Sequence, residues 1–401
     1  MKQVHIVIAG AGIGGLCLAQ GLRKRGISFD VYEKDAAADS RRQGYRIRID
    51  QTGQQALAAC LAPELYTLFQ ATCAIPVAGV KTLNPSLMPL TNKWIYAWMD
   101  GKKVETADLK ADRLTLREVL SAGISRHIHY DKKIIRYEER EDGKVISFFS
   151  DGSSLVSDVL VAADGVHSAL IAQRFPATAP IDTGSVCLYG KTFLHAPVKE
   201  QVAAVLQSGT SAIFGTGMAV IIDAMLFDAL PEHTVPAGLS LTAREDYMYW
   251  ALIGKRESFG IDNTHTLRFA PADLMTMLHR LTAGWAPGLQ SLFALTDPGM
   301  TTMVPVRTSL VRTPWVSGMI TGLGDALHTM SPAAGLGANT ALYDAEILAE
   351  RLGDAVNGKM SLPQAIAAYE QLMREQSSAA ILASRDGGEK LFDQHRYAVT
   401  G

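Results

Sequence analysis

The sequence has few cysteines and no cluster of potential metal ligands. Its four cysteines are far apart among 401 residues, so none form a pair with metal-ligand spacing. Isolated cysteines in a chain of this length are typical of buried, reduced thiols and favour a cytoplasmic protein. The ten histidines also lack the H-x-x-x-H spacing that places two ligands on one helix face. We therefore expect no metal site.

Charge of one sign is not concentrated in any part of the chain, since 38 basic and 40 acidic residues give a net charge of −2. No basic stripe or polybasic cluster is present, which argues against nucleic acid and anionic membranes as partners. The apolar run 4–22 follows Lys2, as a signal peptide or membrane anchor would. Four glycines within 10–15 interrupt this run. We expect a folded segment there and no stable membrane insertion.

Two structural units are expected, because 401 residues exceed the roughly 250–300 at which one hydrophobic core stops growing. A buried strand at 4–9, a helix at 13–25 and a strand at 29–33 form a βαβ unit. Such a unit implies a parallel sheet with a right-handed crossover. The strand-turn-helix rhythm is absent from about 176 to 288, and it returns from Trp315.

The middle of the chain predicts a second sheet. Residues 246–253 alternate aromatic and aliphatic side chains, and 277–285 is predicted as a helix within or beside that sheet. Ser361 and Gln364 fit a capping box that starts the last long helix, and Pro363 suits its first turn. The predicted fold class is therefore α/β, with a parallel sheet interleaved with a mixed β-sheet domain and followed by a C-terminal helix.

The segment Gly10-Ala11-Gly12-Ile13-Gly14-Gly15 fits G-x-G-x-x-G between a strand and a helix. Gly10 permits the tight turn, Gly12 lets the backbone approach a pyrophosphate, and Gly15 lets the helix and strand pack closely. Glu33 ends the second strand, where an acid can accept ribose hydroxyls. The predicted dinucleotide contacts here are Gly10, Gly12, Ile13, Gly14, Gly15, Glu33 and Lys34. This motif alone does not separate NAD from FAD.

Two later segments carry a resemblance to a family. Residues 158–168 contain Asp164-Gly165, and 322–332 contain Gly324-Asp325, followed by Gly-Leu-Gly-Ala-Asn at 335–339. In this order and spacing, the three motifs resemble class A flavoprotein monooxygenases, of which the para-hydroxybenzoate hydroxylase family is the best known. The resemblance covers about half of the chain and implies that the dinucleotide is FAD, in a Rossmann-like domain.

The resemblance assigns roles to these residues. Asp325 would bind the flavin's ribityl hydroxyls, and the helix that begins near 335–339 would stabilise negative charge on the reduced flavin. The Asp164-Gly165 segment serves both flavin and pyridine nucleotide in the family, although Ile171 stands where the family often has an arginine. The predicted contacts are Asp164, Gly165, Gly324, Asp325, Pro332, Gly335, Gly337, Ala338 and Asn339.

Three arginines complete the cofactor site that the resemblance implies. Arg113 and Arg117 match the family's helix that supplies an arginine to FAD, and a solvated helix face is the alternative. Arg46 falls where the family has an arginine close to the cofactor, on the same strand face as Arg48. His328 belongs to the Gly-Asp signature, and a structural role is favoured over that of a base.

The resemblance also implies discontinuous domains. The FAD-binding domain would comprise 1–73, 107–175 and 289–360. The substrate-binding domain would comprise 74–106 and 176–288, and 361–401 would form a C-terminal helical segment.

The activity implied by the resemblance is monooxygenation. NAD(P)H would reduce FAD, and O2 would yield a flavin C4a-hydroperoxide that hydroxylates or epoxidises an aromatic or polycyclic small molecule. Candidate substrate-lining residues are Ile213, Phe214, Ile222, Tyr247, Tyr249 and Pro305, although side chains of this kind can equally form the core of the second domain. The alternatives are an oxidase or reductase on the same fold and a non-catalytic protein that binds flavin or an intermediate. The halogenase motif W-x-W-x-I-P is absent.

Overall fold

A computed structural model describes residues 4–37, 40, 45–76, 79–90, 107–176, 179–231, 233–262 and 266–392. The predicted segments 74–106 and 361–401 lie partly outside these residues. The strands are β1 His5–Ala9, β2 Ser28–Tyr32, β3 Arg46–Ile49, β4 Val80–Leu83, β5 Leu109–Asp112, β6 Ile128–His129, β7 Ile134–Glu139, β8 Val145–Phe149, β9 Ser154–Ser157, β10 Val159–Ala162, β11 Ile181–Phe193, β12 Thr210–Gly215, β13 Met218–Met225, β14 Tyr247–Lys255, β15 Thr302–Thr308 and β16 Ile320–Gly322.

The helices follow the same chain order. They are α1 Ile13–Lys24, α2 Gln51–Cys60, α3 Pro63–Thr72, α4 Arg113–Ser121, α5 Ala169–Arg174, α6 Ala196–Gln201, α7 Pro271–Leu281, α8 Pro287–Ala294, α9 Asp325–His328, α10 Gly337–Val356 and α11 Leu362–Phe392. Short 3-10 turns occur at Ser125–His127, Ala204–Leu206, Arg256–Phe259, Pro298–Met300 and Pro332–Ala334.

A five-stranded parallel sheet forms the centre of the first unit, in the order β16-β10-β1-β2-β6. Every residue of β10 is buried, and so are the last four residues of β1. Strands covered on both faces are continuous apolar runs, which is why the sequence at 4–9 and 159–163 predicts them. Helices α1 and α10 pack against each other beside this sheet. The predicted βαβ unit and parallel sheet are confirmed.

A six-stranded mixed sheet forms the second unit, in the order β15-β11-β14-β13-β12-β4. Its strands alternate between two faces, as the two-residue period of a strand requires. The outer face packs under α7 and α8, where Trp250 meets Phe293 of α8 at a ring-centroid distance of 5.5 Å. The inner face carries Tyr189, Tyr247 and Ile253, and it packs against Tyr45 of the first unit.

Two predictions about the second unit differ from the structure. Strand β15 lies in the range 289–360 that was predicted as FAD-binding, yet it pairs antiparallel with β11 of the six-stranded sheet. The helix predicted at 277–285 begins earlier, because Pro271 occupies its first position and fixes the backbone for a helix start there. The first difference places β15 with the second unit, whereas the helix lies within that unit in both descriptions.

The two units are joined through buried polar contacts. The Tyr247 hydroxyl donates to the carboxylate of Asp112 at 3.0 Å, and Lys110 Nζ donates to Asp223 Oδ1 at 3.0 Å. Asp112 also caps the N-terminus of α4 by accepting from the next amides along the chain. The strand ends of the first unit are thereby held at a fixed position relative to the inner face of the second sheet.

The last helix covers the first unit. The predicted capping box is confirmed, since Ser361 N donates to Gln364 Oε1 at 2.9 Å and Gln364 N donates back to Ser361 Oγ at 3.4 Å. Helix α11 packs along α10, and the Tyr369 hydroxyl donates to the Gly322 carbonyl at 2.7 Å. Among the helices that the structure describes, none combines the length and the apolar character needed to span a bilayer.

Candidate active site

The predicted cofactor residues meet at one edge of the parallel sheet. The loops after β1, β2, β10 and β16 begin with Gly10, Glu33, Ala163-Asp164 and Leu323-Gly324. Because parallel strands end at the same edge, these four loops lie side by side. In an open α/β sheet, this carboxyl edge is where ligands bind.

Two glycines of the first loop are required by the protein's own packing. Gly10 has a φ of +112°, and a Cβ there would lie 2.3 Å from the Ala163 carbonyl oxygen. A Cβ at Gly15 would lie 2.2 Å from the Gly10 carbonyl oxygen. Real Cβ atoms do not approach backbone oxygens this closely, so both positions need glycine to bring α1 and β10 against the turn.

Gly12 differs from its neighbours. A Cβ there would meet no protein atom within 4 Å, whereas one at Gly14 would lie 2.7 Å from Leu323 Cδ1. Gly12 is also the N-cap of α1, and it offers no side chain to bond the first free amides of that helix. Nothing in the described protein therefore explains glycine at this position, while a phosphate on the helix N-terminus does.

Charged side chains hold the glycine turn from both sides. Glu33 is buried, and its carboxylate accepts from Ala11 N at 2.8 Å and from Asp35 N at 3.0 Å. Buried Arg117 donates from Nε to the Ala11 carbonyl at 3.2 Å. Arg113 lies one helical turn earlier on α4, half-buried and on the side of Asp325. The structure thus brings these predicted residues together around the first loop.

Asp325 stands at the start of α9, directly after Gly324 with its φ of +61°. The residue is exposed to solvent, although protein atoms lie close around its carboxyl group. Burial raises the pKa of the Asp325 carboxyl, and the nearby charges of His328 and Arg113 oppose that rise. A carboxylate in this position can accept hydrogen bonds from hydroxyl groups of a ligand.

His328 and Asp344 hold the turn at Gly324 in place. His328 Nε2 lies 2.5 Å from Asp344 Oδ2, and the same carboxylate oxygen accepts from Gly324 N at 2.9 Å. Burial lowers the pKa of His328, but the charge and hydrogen bond of Asp344 outweigh that effect and the net direction is upward. Both side chains are fully enclosed. The structural role favoured for His328 agrees with this geometry.

The remaining predicted cofactor residues lie at the start of α10 and in the segment just before it. Gly335 takes a left-handed conformation with φ +63°, and Gly337 and Ala338 are half-buried beyond exposed Pro332. Asn339 is 2% exposed, and its side chain bonds the Arg48 and Gly335 carbonyls and the Asp50 amide. The Asn339 amide group is therefore committed to protein partners, and it fixes the loop to β3 instead of projecting toward a ligand.

The Asp164-Gly165 loop carries an unsatisfied acceptor. Asp164 Oδ1 is buried and has no hydrogen-bond partner among the described residues, and burial raises the pKa of this carboxyl. Gly165 has a φ of +81°, and no protein atom lies within 4 Å of where its Cβ would be. Buried acceptors without partners are rare in native proteins, which points to a donor supplied by a ligand.

A basic cluster borders this loop on the exposed side. Arg307 of β15 donates from a terminal guanidinium nitrogen to His167 Nε2 at 2.7 Å. Lys34 is close enough to act electrostatically on both His167 and Asp164. Burial lowers the pKa of His167, and the charges of Arg307 and Lys34 lower it further. Sequence reasoning missed Arg307, because its strand was expected to belong to the flavin unit and carried no motif.

The prediction that Arg46 lies close to the cofactor stays a prediction. Its guanidinium lies 2.8 Å from Asp223 Oδ2 on the six-stranded sheet, so Arg46 has an anionic partner in the second unit. Arg48, two residues on, lies instead beside the start of α10, where its Cδ would be 3.8 Å from a Cβ at Gly335. Arg48 Nε also donates to Asp108 at 2.6 Å.

The predicted substrate-lining residues divide by sheet face. The side chains of Ile213 and Ile222 point to the outer face and belong to the core under α7 and α8. Tyr247 is on the inner face but 2% exposed, and its hydroxyl is committed to Asp112. Phe214 and Tyr249 both lie on the inner face.

Pro305 also lies on the outer face. It pairs with Val186, whose side chain belongs to the outer face. The inward side chains of this strand are those of its neighbours, Val304 and Val306. Sequence alone identifies the strand but not which of its two faces points inward.

The fold and these loops define an FAD-binding protein of the class A monooxygenase type. Residues 134–383 match the family model of the FAD binding domain, and residues 8–59 match that of an NAD(P)-binding Rossmann-like domain. The first match spans more than half of the chain. The chain belongs to the FAD-binding-domain family, and its cofactor is FAD.

Proteins similar to this chain include FAD-dependent monooxygenases. A dual O-methyltransferase/FAD-dependent monooxygenase of Cercospora beticola is 32% identical over 97% of this chain, which spans only 46% of that relative's length. An FAD-dependent monooxygenase of Trichoderma harzianum is 27% identical, over 96% of this chain and 92% of its own. A crystal structure from Photorhabdus luminescens, assigned to an FAD-containing monooxygenase, superimposes with a TM-score of 0.81 at 28% identity, over 99% of this chain and 100% of that one.

Two glycine substitutions separate packing from cofactor binding. We predict that Gly12→Ala leaves the unfolding free energy of the apo-protein within about 0.5 kcal/mol of wild type. Its FAD affinity should fall by at least about tenfold, because the new methyl group occupies the space open to a pyrophosphate. Gly15→Ala should instead lower the unfolding free energy by about 1–3 kcal/mol through overpacking. Urea unfolding and FAD fluorescence quenching measure the two quantities.

The matched control lies within this pair, since both variants add one methyl group to the same turn. Wild-type FAD affinity in Gly12→Ala would show that the pyrophosphate does not lie there. Equal destabilisation by both substitutions would contradict the packing assignment.

Proposed function

We propose that this chain is an FAD-dependent monooxygenase that uses NAD(P)H and O2 to oxygenate an aromatic or polycyclic small molecule. One observation carries the proposal: the inner face of the second sheet, which is rich in aromatic side chains, packs against Tyr45 of the first unit and against Ala333 beside the cofactor loops. Large apolar surfaces with a few polar groups are typical of sites for aromatic ligands. The family and the relatives support the same reaction class.

The residues of this edge fit FAD. The amides at the start of α1 and Gly12 would hold the pyrophosphate, and Glu33 would accept from the adenosine ribose. Asp325 would accept from the ribityl hydroxyls, and the N-terminus of α10 would lie beside the pyrimidine edge of the ring. The unpartnered acceptor of Asp164 would receive a donor from the same ligand or from the nicotinamide nucleotide.

The flavin would accept hydride and activate oxygen. The protein would position the reactants and exclude water from them. The inner face of the second sheet brings Phe214 and the inward valines of β15 toward the cofactor edge. Ala333, in the segment between Asp325 and α10, packs against the cluster of Ala212, Phe214 and Ala219 on this face, so the face and the flavin loops are adjacent. Excluding water there would protect the reactive cofactor and favour transfer of oxygen to the substrate.

Oxygen and nicotinamide consumption test the function. FAD-loaded protein should oxidise NADPH or NADH slowly alone, and an aromatic substrate should raise that rate several-fold. Oxygen uptake, followed with an electrode, should match the nicotinamide oxidised, and catalase should return little of it because the oxygen enters the product. Asp325→Ala, which loses a proposed FAD ligand, should abolish both rates and the yellow colour.

The alternative functions, an oxidase and a non-catalytic binding protein, give different results in these assays. An oxidase would consume oxygen but release it as hydrogen peroxide, so catalase would return half of the uptake. A binding protein would show no stimulated oxidation with any aromatic compound tested. Colourless protein that cannot be reconstituted with FAD would contradict the cofactor assignment itself.

We also propose that the electron donor docks at the basic cluster of Lys34, His167 and Arg307. The cluster is next to the Asp164-Gly165 loop, and it presents two permanent cations to solvent at the cofactor edge. Phosphate groups of NAD(P)H match such a cluster, since guanidinium groups bind phosphate bidentately. Neutral His167 accepts from Arg307 and so orients the guanidinium.

Arg307→Ala tests this docking site. The KM for NADPH should rise by about tenfold, since one charge-assisted contact is lost, while kcat changes little. Arg136→Ala on the distant strand β7, another exposed arginine, is the control and should leave KM unchanged. A wild-type KM in Arg307→Ala would place the donor elsewhere.

A further inference from the structure

Four exposed apolar side chains form an apolar loop surface, which consists of Ile181, Leu310, Val311 and Val316. Ile181 starts β11 and pairs with Thr308, the last residue of β15. Leu310 and Val311 follow on the loop that leaves β15, and Val316, further along that loop, is 92% exposed. Ten large apolar side chains are exposed in the part of the chain that the structure describes, so four of them are concentrated here. Exposed apolar residues concentrated in this way mark a contact with another molecule.

The loop that leaves β15 is held firmly behind its exposed side chains. Arg174 donates to the Val316 carbonyl at 3.0 Å, and Arg312 Nε donates to a carbonyl of α9 at 3.0 Å. The Trp315 and Phe175 rings pack at a centroid distance of 5.0 Å. Because these contacts fix the loop before any partner arrives, docking through it would cost little conformational entropy.

Three arginines surround this aromatic pair. Arg174 and Arg312 lie 5.5 and 5.3 Å from the ring centroid of Phe175. Arg374 of α11 lies 4.7 Å from that of Trp315. Cation–π contacts of this kind hold positive charge next to apolar surface. The three arginines are far apart in the sequence, so no polybasic run predicts the cluster, and the fold alone brings it together.

The positive charge of this cluster is only partly neutralised. Arg174 lies 3.8 Å from Glu139, and the buried Glu370 carboxylate accepts from two hydroxyl groups. Arg374 forms no ion pair with any residue that the structure describes. Arg374 Nη1 and Trp315 Nε1 are also buried donors without an acceptor among those residues. Since such donors are rare in native proteins, they point to an anionic acceptor supplied from outside.

We propose that the apolar loop surface docks on a negatively charged membrane, with its four side chains among the lipid headgroups and the three arginines beside the phosphates. Anionic leaflets attract arginines, and burial of apolar side chains adds to that attraction. Tryptophan is favoured at the boundary between lipid and water, where its indole N–H can bond a polar group. A second copy of the chain fits less well, since a twofold contact would bring the arginines of both copies together.

This inference goes beyond the proposed function and does not depend on it. The contact is peripheral, because side chains of two loops make it. Buried Thr308 and Ser309 separate the apolar loop surface from Arg307, so the membrane and the nicotinamide nucleotide would use different surfaces. Apolar aromatic and polycyclic compounds partition into lipid, so an enzyme docked in this way would meet them at a higher concentration than in water.

Sedimentation with lipid vesicles tests the docking. FAD-loaded protein is mixed with phosphatidylcholine vesicles, or with vesicles in which about a quarter of the lipid is phosphatidylserine. Binding should be at least about fivefold stronger on the anionic vesicles, and about 0.5 M salt should remove most of the difference by screening. Val316→Asp should weaken binding to the anionic vesicles at least about fivefold, because it replaces an inserting side chain with a like charge.

Two further variants separate the contributions. Arg374→Gln should weaken binding to the anionic vesicles and leave the weaker binding to phosphatidylcholine unchanged. Met88→Asp is the matched control, since Met88 is 60% exposed and follows β4, at the opposite edge of the six-stranded sheet from β15. It adds the same negative charge as Val316→Asp and should bind like wild type. FAD content and circular dichroism are measured on each variant to show that it is folded.

Several results would overturn the proposal. They are binding to neither kind of vesicle, equal binding to both, and wild-type binding by folded Val316→Asp. A dimer in sedimentation velocity that Val316→Asp dissociates would also overturn it, because the surface would then be an interface between two copies of the chain.

Discussion

Parallel strands end at the same edge of a sheet, and the chemistry of this protein depends on that constraint. Four loops far apart in sequence become neighbours because they follow β1, β2, β10 and β16. Gly10 lies against the backbone at Ala163, so the first and third loops are built as one surface. A single residue with a Cβ at Gly10 or Gly15 would push these loops apart, and the dinucleotide site would lose its shape.

The second unit depends on a different kind of contact. Its outer face is a conventional apolar core under two helices, while its inner face is held to the first unit by a few buried polar groups. Asp112 has two roles, because its carboxylate caps α4 and also accepts a hydrogen bond from the Tyr247 hydroxyl. The helix that carries Arg113 and Arg117 is thereby positioned by both units.

Much of the first unit could be predicted from sequence, because its motifs are local. The glycine turn and the Asp325 loop each follow a buried strand within a few residues, and glycine or a carboxylate there has a definite physical reason. The capping box at Ser361 is local in the same sense. Such features need no knowledge of distant contacts.

The second unit could be predicted only as a sheet. Ile213 and Ile222 look as suitable for a ligand as Phe214, and the face that each occupies is set by strand register and by helices elsewhere in the chain. The ion pair of Arg46 could not be predicted for a similar reason, because its partner Asp223 is far away in sequence and has no motif. The boundary near β15 moved because that strand pairs with β11, which no local pattern reveals.

We propose that this protein transfers an oxygen atom from O2 to an organic substrate. The most direct measurement is mass spectrometry of the product formed from isotopically labelled dioxygen, nicotinamide and the aromatic compound that most stimulates oxygen uptake. Each product molecule should contain one labelled oxygen atom from dioxygen and none from labelled water. A product without label, or labelled only from water, would contradict the proposed oxygenation.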